Sequence, residues 1–258
     1  MGRRWGQHFL RSQGVIDKIV EAANLGANDL VLEIGPGEGV VTTGLCQRSG
    51  NVHAFEIDPE LAAKLRAREV PNLSLHEGDF LRQDLRPLAQ LGGPWTVVAN
   101  LPYYITAPIL DRLFWERHLP IRHAVLMMQD EVAQRIQNPA SREAGALTYI
   151  VGAFHRVEYL FKVPPGCFAP PPKVESAVVR VTPHSAAGPE SEGFARTYER
   201  LVSVAFGQRR KQLGRSLRSL STEAPVVLER AGIDPARRPE TLSVEEFWSL
   251  ARTWPNSV

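Results

Sequence analysis

Along the first two thirds of this chain the pattern of apolar and polar positions switches repeatedly between two periods. Short runs rich in apolar residues recur at Leu30–Ile34, Asn51–Glu56, Leu73–Glu77, Trp95–Val98 and His123–Met128. Runs of this length, bounded by Gly, Pro and Asp, read as buried strands of a parallel sheet. Between them apolar residues fall at helical spacing. Val15, Ile16, Ile19, Val20 and Ala23 form one stripe. Ile109, Leu110, Leu113 and Phe114 form the inward face of a helix expected over Ala107–Arg117. Further helices are expected from Val40, from Pro59 with Asp58 as its N-cap, over Gln129–Ile136 and over Gly145–Phe154. Strands alternating with helices in this way predict an α/β fold around an open parallel sheet. Val157–Val163 and Ser176–Thr182 read as two final strands.

The pattern then changes. Pro183–Gly193 has the composition of a linker. Beyond it the chain reads as helical and basic to about Leu220, with further helical stretches at Pro225–Gly232 and Val244–Trp254. The expected organisation is therefore a larger α/β domain over 1–185, opened by a basic arm carrying Arg3, Arg4 and Arg11, and a small helical domain over 194–258. From Phe194 to Leu220 the bases are Arg196, Arg200, Arg209, Arg210, Lys211, Arg215 and Arg218, against the single acid Glu199. Such a run reads either as a solvated helix face or as a phosphate-binding surface.

Composition narrows the class only a little. The chain has 258 residues, 43% of them hydrophobic and 22% charged, as in an ordinary soluble protein. The formal net charge is +2, so bulk charge does not point to nucleic acid. No apolar run approaches the roughly 20 residues of a membrane span. The first residues lack an apolar signal core, and a cytoplasmic protein is expected. The two cysteines, Cys46 and Cys167, stand in no CxxC pair, and the seven histidines show no HExxH spacing. Neither a metal site nor a serine-hydrolase elbow is indicated.

The ends of the strands carry the chemistry. Gly35, Gly37 and Gly39 follow Leu30–Ile34 at once. Glycines between strand and helix let backbone approach a ligand closely. A dinucleotide fingerprint needs GxGxxG, but Val stands at position 40; the pattern here is Glu33-x-Gly35-x-Gly37-x-Gly39. That excludes a dehydrogenase reading. Glu56 ends the next strand, about twenty residues on, the offset at which an acid accepts ribose hydroxyls. Asp79 follows the third strand and reads as an acceptor for an adenine amino group or as an N-cap. The fourth strand runs into Ala99-Asn100-Leu101-Pro102-Tyr103-Tyr104. An amide and nearby carbonyls can accept from an exocyclic amine, and an aromatic ring can stack on the base that bears it. Phe168, in the proline-rich stretch Pro164–Ser176, reads as a second wall of that pocket or as a packing residue.

Taken together, Gln7–Leu10, Glu33–Gly39, Glu56–Asp58, Gly78-Asp79, Asn100–Tyr103, Pro170–Ser176 and Phe206–Leu213 resemble the ribosomal RNA adenine-N6,N6-dimethyltransferase family, its bacterial small-subunit branch in particular. The match spans nearly the whole chain. It implies a Rossmann-like class I methyltransferase sheet, S-adenosyl-L-methionine as cofactor, and a small C-terminal helical domain. The implied cofactor positions are His8, Leu10, Gly35, Glu56, Asp79 and Asn100, with Gln7, Gly37, Ile57 and Phe80 in the same motifs. Asn100, Leu101, Pro102 and Tyr103 stand at the catalytic motif, with Phe168 opposite. The implied partner is 16S rRNA of the small ribosomal subunit or its precursor, modified at two adjacent adenines of a hairpin loop near its 3′ end. Arg209, Arg210, Lys211 and Arg215 are the expected RNA-binding residues. A monomer, with no membrane partner, is expected. Two positions depart from the family: His8 stands where Asn is usual, and Tyr104 where Asn or Gln is usual, so no role is carried over to Tyr104. The competing readings are an amino-methyltransferase acting on 23S rRNA adenine, DNA adenine or a protein glutamine, and a largely non-catalytic small-subunit assembly factor.

Overall fold

The computed structural model describes residues 7–102, 105–114, 119–138, 143–184 and 192–255. In chain order the strands are β1 Phe9–Leu10, β2 Leu30–Ile34, β3 Asn51–Glu56, β4 Leu73–Glu77, β5 Trp95–Asn100, β6 Ile121–Gln129, β7 His155–Val163, β8 Phe168–Ala169 and β9 Ser176–Pro183. The helices are α1 Gln13–Ala22, α2 Val40–Arg48, α3 Pro59–Arg66, α4 Arg86–Ala89, α5 Thr106–Phe114, α6 Asp130–Gln137, α7 Ala146–Phe154, α8 Glu192–Gly207, α9 Leu213–Ser216, α10 Ala224–Arg230 and α11 Val244–Thr253. Residues fall into two packing units: residues up to 133 together with 158–183, and 134–157 together with 184–258.

In the first unit a seven-stranded sheet has the order β4-β3-β2-β5-β6-β9-β7. From β4 to β6 every pairing is parallel. β9 then enters antiparallel to β6, with Met127 opposite Val178. The chain winds outward from β2 to β3 and β4, then returns to the other side of β2 to lay down β5 and β6. The order therefore reverses between β2 and β5, and a crevice opens at their carboxyl ends, where open α/β sheets bind ligands. Local chemistry fixes the helices. Asp58 caps α3, its Oδ1 accepting from the backbone N–H of Glu60 (3.0 Å) and Leu61 (3.5 Å), with Pro59 at the first helical position. One face of the sheet packs on Leu10, Ile16, Ile19, Val20 and Leu45, with Val98, Val125 and Met127 contributed by the strands.

The expected strands β2 to β4 fall on the residues read for them. Two features lie outside that reading. The arm does not simply precede α1: Phe9 and Leu10 pair with Ala169 and Phe168 as an antiparallel two-residue ribbon. Segment 134–157 packs in the second unit, whereas the sequence boundaries placed it within 1–185. The reason is α7, an almost wholly apolar helix that must be covered on most of its surface. Its Tyr149 and Phe154 rings meet Phe206, Tyr198 and Phe247 of α8 and α11.

Buried hydroxyls in this helical unit are matched. The Tyr149 Oη–H donates to the Leu242 carbonyl at 2.8 Å, and the Tyr198 Oη–H to the Tyr149 carbonyl at 3.1 Å. Ser243 and Glu246 form a capping box at the start of α11. Tyr149→Phe removes one partner and strands the Leu242 carbonyl. It should destabilise the unit by about 1–2 kcal/mol in urea denaturation followed by circular dichroism.

Candidate active site

Four strand ends converge on a cavity of about 170 Å³ in the first unit. From β2 comes the glycine loop. Gly35, Gly37 and Gly39 all take positive φ, at 69°, 58° and 74°, a region that L side chains rarely adopt. Space also matters. A Cβ on Gly39 would collide with the Leu65 side chain, and one on Gly37 would sit 3.5 Å from the Phe9 ring. A Cβ on Gly35 would meet only ordinary contact, 4.0 Å from the Asn100 carbonyl oxygen, so at that position the positive φ rather than space favours glycine.

Glu56 closes the end of β3 and is 2% exposed. Its carboxylate accepts the Gly37 N–H at Oε2 (2.9 Å) and the Asp58 N–H at Oε1 (2.9 Å). Each oxygen keeps a second lone pair for a ligand hydroxyl. Burial raises its pKa, and those backbone donors oppose the rise. Asp79 follows β4. Its Oδ1 caps a short 3₁₀ turn by accepting the Leu81 N–H at 3.0 Å, and the residue also lines the cavity. The capping role is therefore present together with a position suited to a ligand. Ile57 and Phe80 line the same space.

The arm forms another wall. Gln7, His8 and Leu10 line the cavity, and so does Phe168 across the ribbon. His8 Nδ1 hydrogen-bonds the Pro170 carbonyl at 2.8 Å, and the Arg11 N–H donates to the Cys167 carbonyl at 2.7 Å. The Arg11 guanidinium pairs with Glu38 of the glycine loop at 2.7 Å. Phe168 is buried and belongs to the core cluster, so it packs and lines the pocket at once. At the base of its loop Lys162 bridges Asp130 (3.2 Å) and Glu175 (2.7 Å).

Asn100 and Pro102 line the cavity at the exit of β5. Leu101 is buried and is not among the residues lining the cavity, and its N–H donates to the Met127 carbonyl at 2.9 Å. The Pro102 carbonyl is already engaged, by the Ile105 N–H (3.1 Å) and the Thr106 hydroxyl (3.4 Å). Tyr103 lies outside the described residues.

The basic run of the second unit differs from the expectation of a helical stretch running to about Leu220. α8 stops at Gly207, Gln208–Lys211 form a turn closed by the Lys211 N–H to the Gln208 carbonyl at 2.7 Å, and α9 begins at Leu213. Arg210, Lys211 and Arg215 are exposed on that turn and helix, whereas Arg209 lies 3.9 Å from Glu240.

One residue of the cavity wall was passed over as a site residue. Glu33 is 3% exposed and its Oε2 is buried without a hydrogen-bond partner. Burial pushes its carboxyl up to about 8, and Glu56 adds to the push, while Thr42 acts against it. Its signal in the sequence was an acid at the fourth position of an otherwise apolar strand.

A parallel sheet with its order reversed at β2 and β5, a glycine loop there, and acids at the next two strand ends define a class I S-adenosylmethionine-dependent methyltransferase. The residues fit that cofactor: the glycine cradle admits close backbone approach, Glu56 and Asp79 offer acceptors, and Glu33 has an unmatched oxygen in the wall. The model of the ribosomal RNA adenine dimethylase family matches residues 2–254, and the chain belongs to that family. It is 42% identical over 257 residues to the ribosomal RNA small subunit methyltransferase A of Nitrosococcus oceani, covering 98% of this chain and 95% of that one. It is also 42% identical over 253 residues to the protein of the same name from Methylococcus capsulatus, covering 97% and 96%. Among solved structures, a dimethyladenosine transferase from Plasmodium falciparum aligns with a TM-score of 0.77 at 27% identity, over 94% of this chain and 96% of that one. The 23S rRNA methyltransferase ErmE aligns with a TM-score of 0.70 at 29% identity, over 95% and 98%.

The buried acid has a thermodynamic consequence. Unfolded, Glu33 titrates near 4.5; folded, near 8. Between those values the native chain holds a proton that the unfolded chain has lost, so stability falls as pH rises, by up to roughly 1.4 kcal/mol per pH unit. Glu33→Gln should flatten this dependence in the ligand-free protein. Its Tm advantage over wild type should grow from about pH 5 to about pH 8 and then level off, as read by scanning calorimetry.

Proposed function

We propose that this enzyme dimethylates N6 of two adjacent adenines in the 3′-terminal hairpin loop of 16S rRNA, within the small subunit or its precursor, as a cytosolic monomer. The observation that carries the reading is the convergence of Asn100, Pro102 and Phe168 on the cavity that Gly35, Glu56 and Asp79 also line. The identity to relatives named for the small subunit, over nearly their whole length, supports the choice of RNA.

In this reading Gln7, His8, Leu10, Gly35, Gly37, Glu56, Ile57, Asp79, Phe80 and Asn100 hold the cofactor. Glu56 accepts the ribose hydroxyls and Asp79 the cofactor's adenine amino group. When bound, S-adenosylmethionine supplies a methyl group on a sulfonium, a good leaving group. The target N6 has its lone pair delocalised into the ring. Asn100 Oδ1 and one backbone carbonyl accept its two N–H bonds, which favours a pyramidal nitrogen. With the Pro102 carbonyl engaged by Ile105 and Thr106, the Leu101 carbonyl is the better second acceptor. Tyr103 and Phe168 flank the base. Stacking is worth roughly 1–3 kcal/mol per base, comparable to the few kcal/mol needed to extrude a loop nucleotide. The nitrogen sheds its proton to solvent, so positioning and electrostatics, with no strong base, provide the rate. Residues 194–258 form the RNA-binding domain, with Arg210, Lys211 and Arg215 the phosphate contacts and Arg209 joining them on release from Glu240.

Purified protein incubated with undermethylated small subunits and labelled cofactor should place two methyl groups on each of two adjacent 3′-terminal loop adenines, mapped by primer extension and mass spectrometry. No label on the small subunits, with label on 23S rRNA in a parallel incubation with large subunits, would overturn the reading. Asn100→Ala should lower methyl transfer by at least about 10²–10³-fold, with the cofactor Kd changed less than about tenfold. Charge reversal at Arg210 and Lys211 should weaken RNA binding and reduce the slope of log K against log salt by about one per lost phosphate contact.

A further inference from the structure

The glycine loop is held from outside the cavity by a residue that has no part in the scheme above. Arg68, on the exposed turn that ends α3, donates from Nη2 to the Glu38 carbonyl at 2.6 Å and from Nη1 to the Gly39 carbonyl at 3.4 Å. The Gly39 carbonyl also accepts the Thr43 N–H (3.3 Å) and the Thr43 hydroxyl (3.0 Å), so it is the first carbonyl of α2. A Cβ on Gly39 would collide with Leu65 and stand 2.8 Å from Arg68 Nη1, so glycine at this position lets the end of α3 close on the loop. The start of α3 is tied to the same loop, because Glu56 accepts both the Gly37 N–H and the N–H of the cap, Asp58. The Glu38 carboxylate pairs with Arg11 of the arm, while its backbone carbonyl serves Arg68. A trans peptide holds a carbonyl and the next N–H antiparallel. Fixing the Glu38 and Gly39 carbonyls therefore fixes the Gly39 and Val40 N–H groups at the start of α2, and Glu38 and Val40 line the cavity.

We propose that Arg68 is a positioning residue for the methionyl half of the cofactor. With Glu56 taking the ribose and Asp79 the adenine, the glycine loop is left to the other half of the ligand. Arg68 is not among the residues lining the cavity, and it acts through the loop. Its two bonds hold the peptides of residues 38–40 in the orientation that the ligand meets, so less loop order has to be gained when the ligand arrives. A guanidinium suits this task. Its planar fork spans two carbonyls at once, and a charged donor makes a stronger bond to a carbonyl than a neutral one. This role rests on the cofactor assignments of Glu56 and Asp79, and not on which RNA is modified.

The test separates the two halves of the ligand. Full-length wild type and Arg68→Met, which keeps the apolar stem and removes the donors, are titrated by calorimetry with two ligands. S-adenosylhomocysteine carries the amino-acid half, and methylthioadenosine lacks it. Arg68→Met should bind S-adenosylhomocysteine about tenfold more weakly than wild type, with the Kd for methylthioadenosine changed less than about twofold. An unchanged Kd for S-adenosylhomocysteine overturns the inference. So does an equal loss for both ligands, the mark of a residue that merely stabilises the fold. Either result leaves the cofactor assignment standing, whereas a wild type that binds neither ligand overturns both. Should Arg68→Met fail to fold, Arg68→Lys, which keeps one charged donor, takes its place. S-adenosylhomocysteine alone should then weaken, by about threefold, and no change or a change shared by both ligands sinks the inference.

Discussion

β2, β5 and β6 are covered on both faces, so their side chains are committed to packing and ligand chemistry is left to the strand ends. Leu32, Val97 and Leu126 are fully buried, and Val31, Val98 and Val125 face the opposite layer. Backbone groups at the sheet's carboxyl edge are the ones free to turn into loops. Because the strand order reverses between β2 and β5, the loops after these two diverge and leave a crevice. The glycine loop, Glu56, Asp79 and Asn100 all follow from that single constraint.

The edge is held together by a few short-range bonds. The Gly35 N–H donates to the Phe55 carbonyl at 2.9 Å, and the Gly78 N–H to the Glu56 carbonyl at 2.7 Å. These bonds extend the ladder one residue past each strand and set where the loops depart. Glu56 then binds the glycine loop to the end of β3 through its own side chain. A group in the cavity wall thus also spans two loops.

The arm and the proline-rich loop enclose the cavity from a different direction. Their ribbon is only two residues a side, but it is supported by the His8 and Arg11 bonds to Pro170 and Cys167. His8 takes part in this support because a ring nitrogen reaches the Pro170 carbonyl. Phe168 is buried by the same arrangement, which is why its packing role and its place in the wall are not alternatives.

Much of this was legible in the sequence because it is local. Strands β2 to β4, the caps, and the glycines and acids at the strand ends follow from period, turn chemistry and motif spacing, which act over a few residues. What the tertiary structure alone decided is long-range. The insertion of β9 between β6 and β7, and the pairing of Phe9 and Leu10 with residues about 160 positions away, depend on partners that periodicity does not name. So does the allegiance of α7, which looks like any apolar helix until its neighbours are known. The basic run was visible as charge, but Arg209 was set beside Glu240 by folding. Glu33 was visible as a motif acid. Its burial, and the upward push that burial gives its carboxyl, are set by the walls that the fold closes around it.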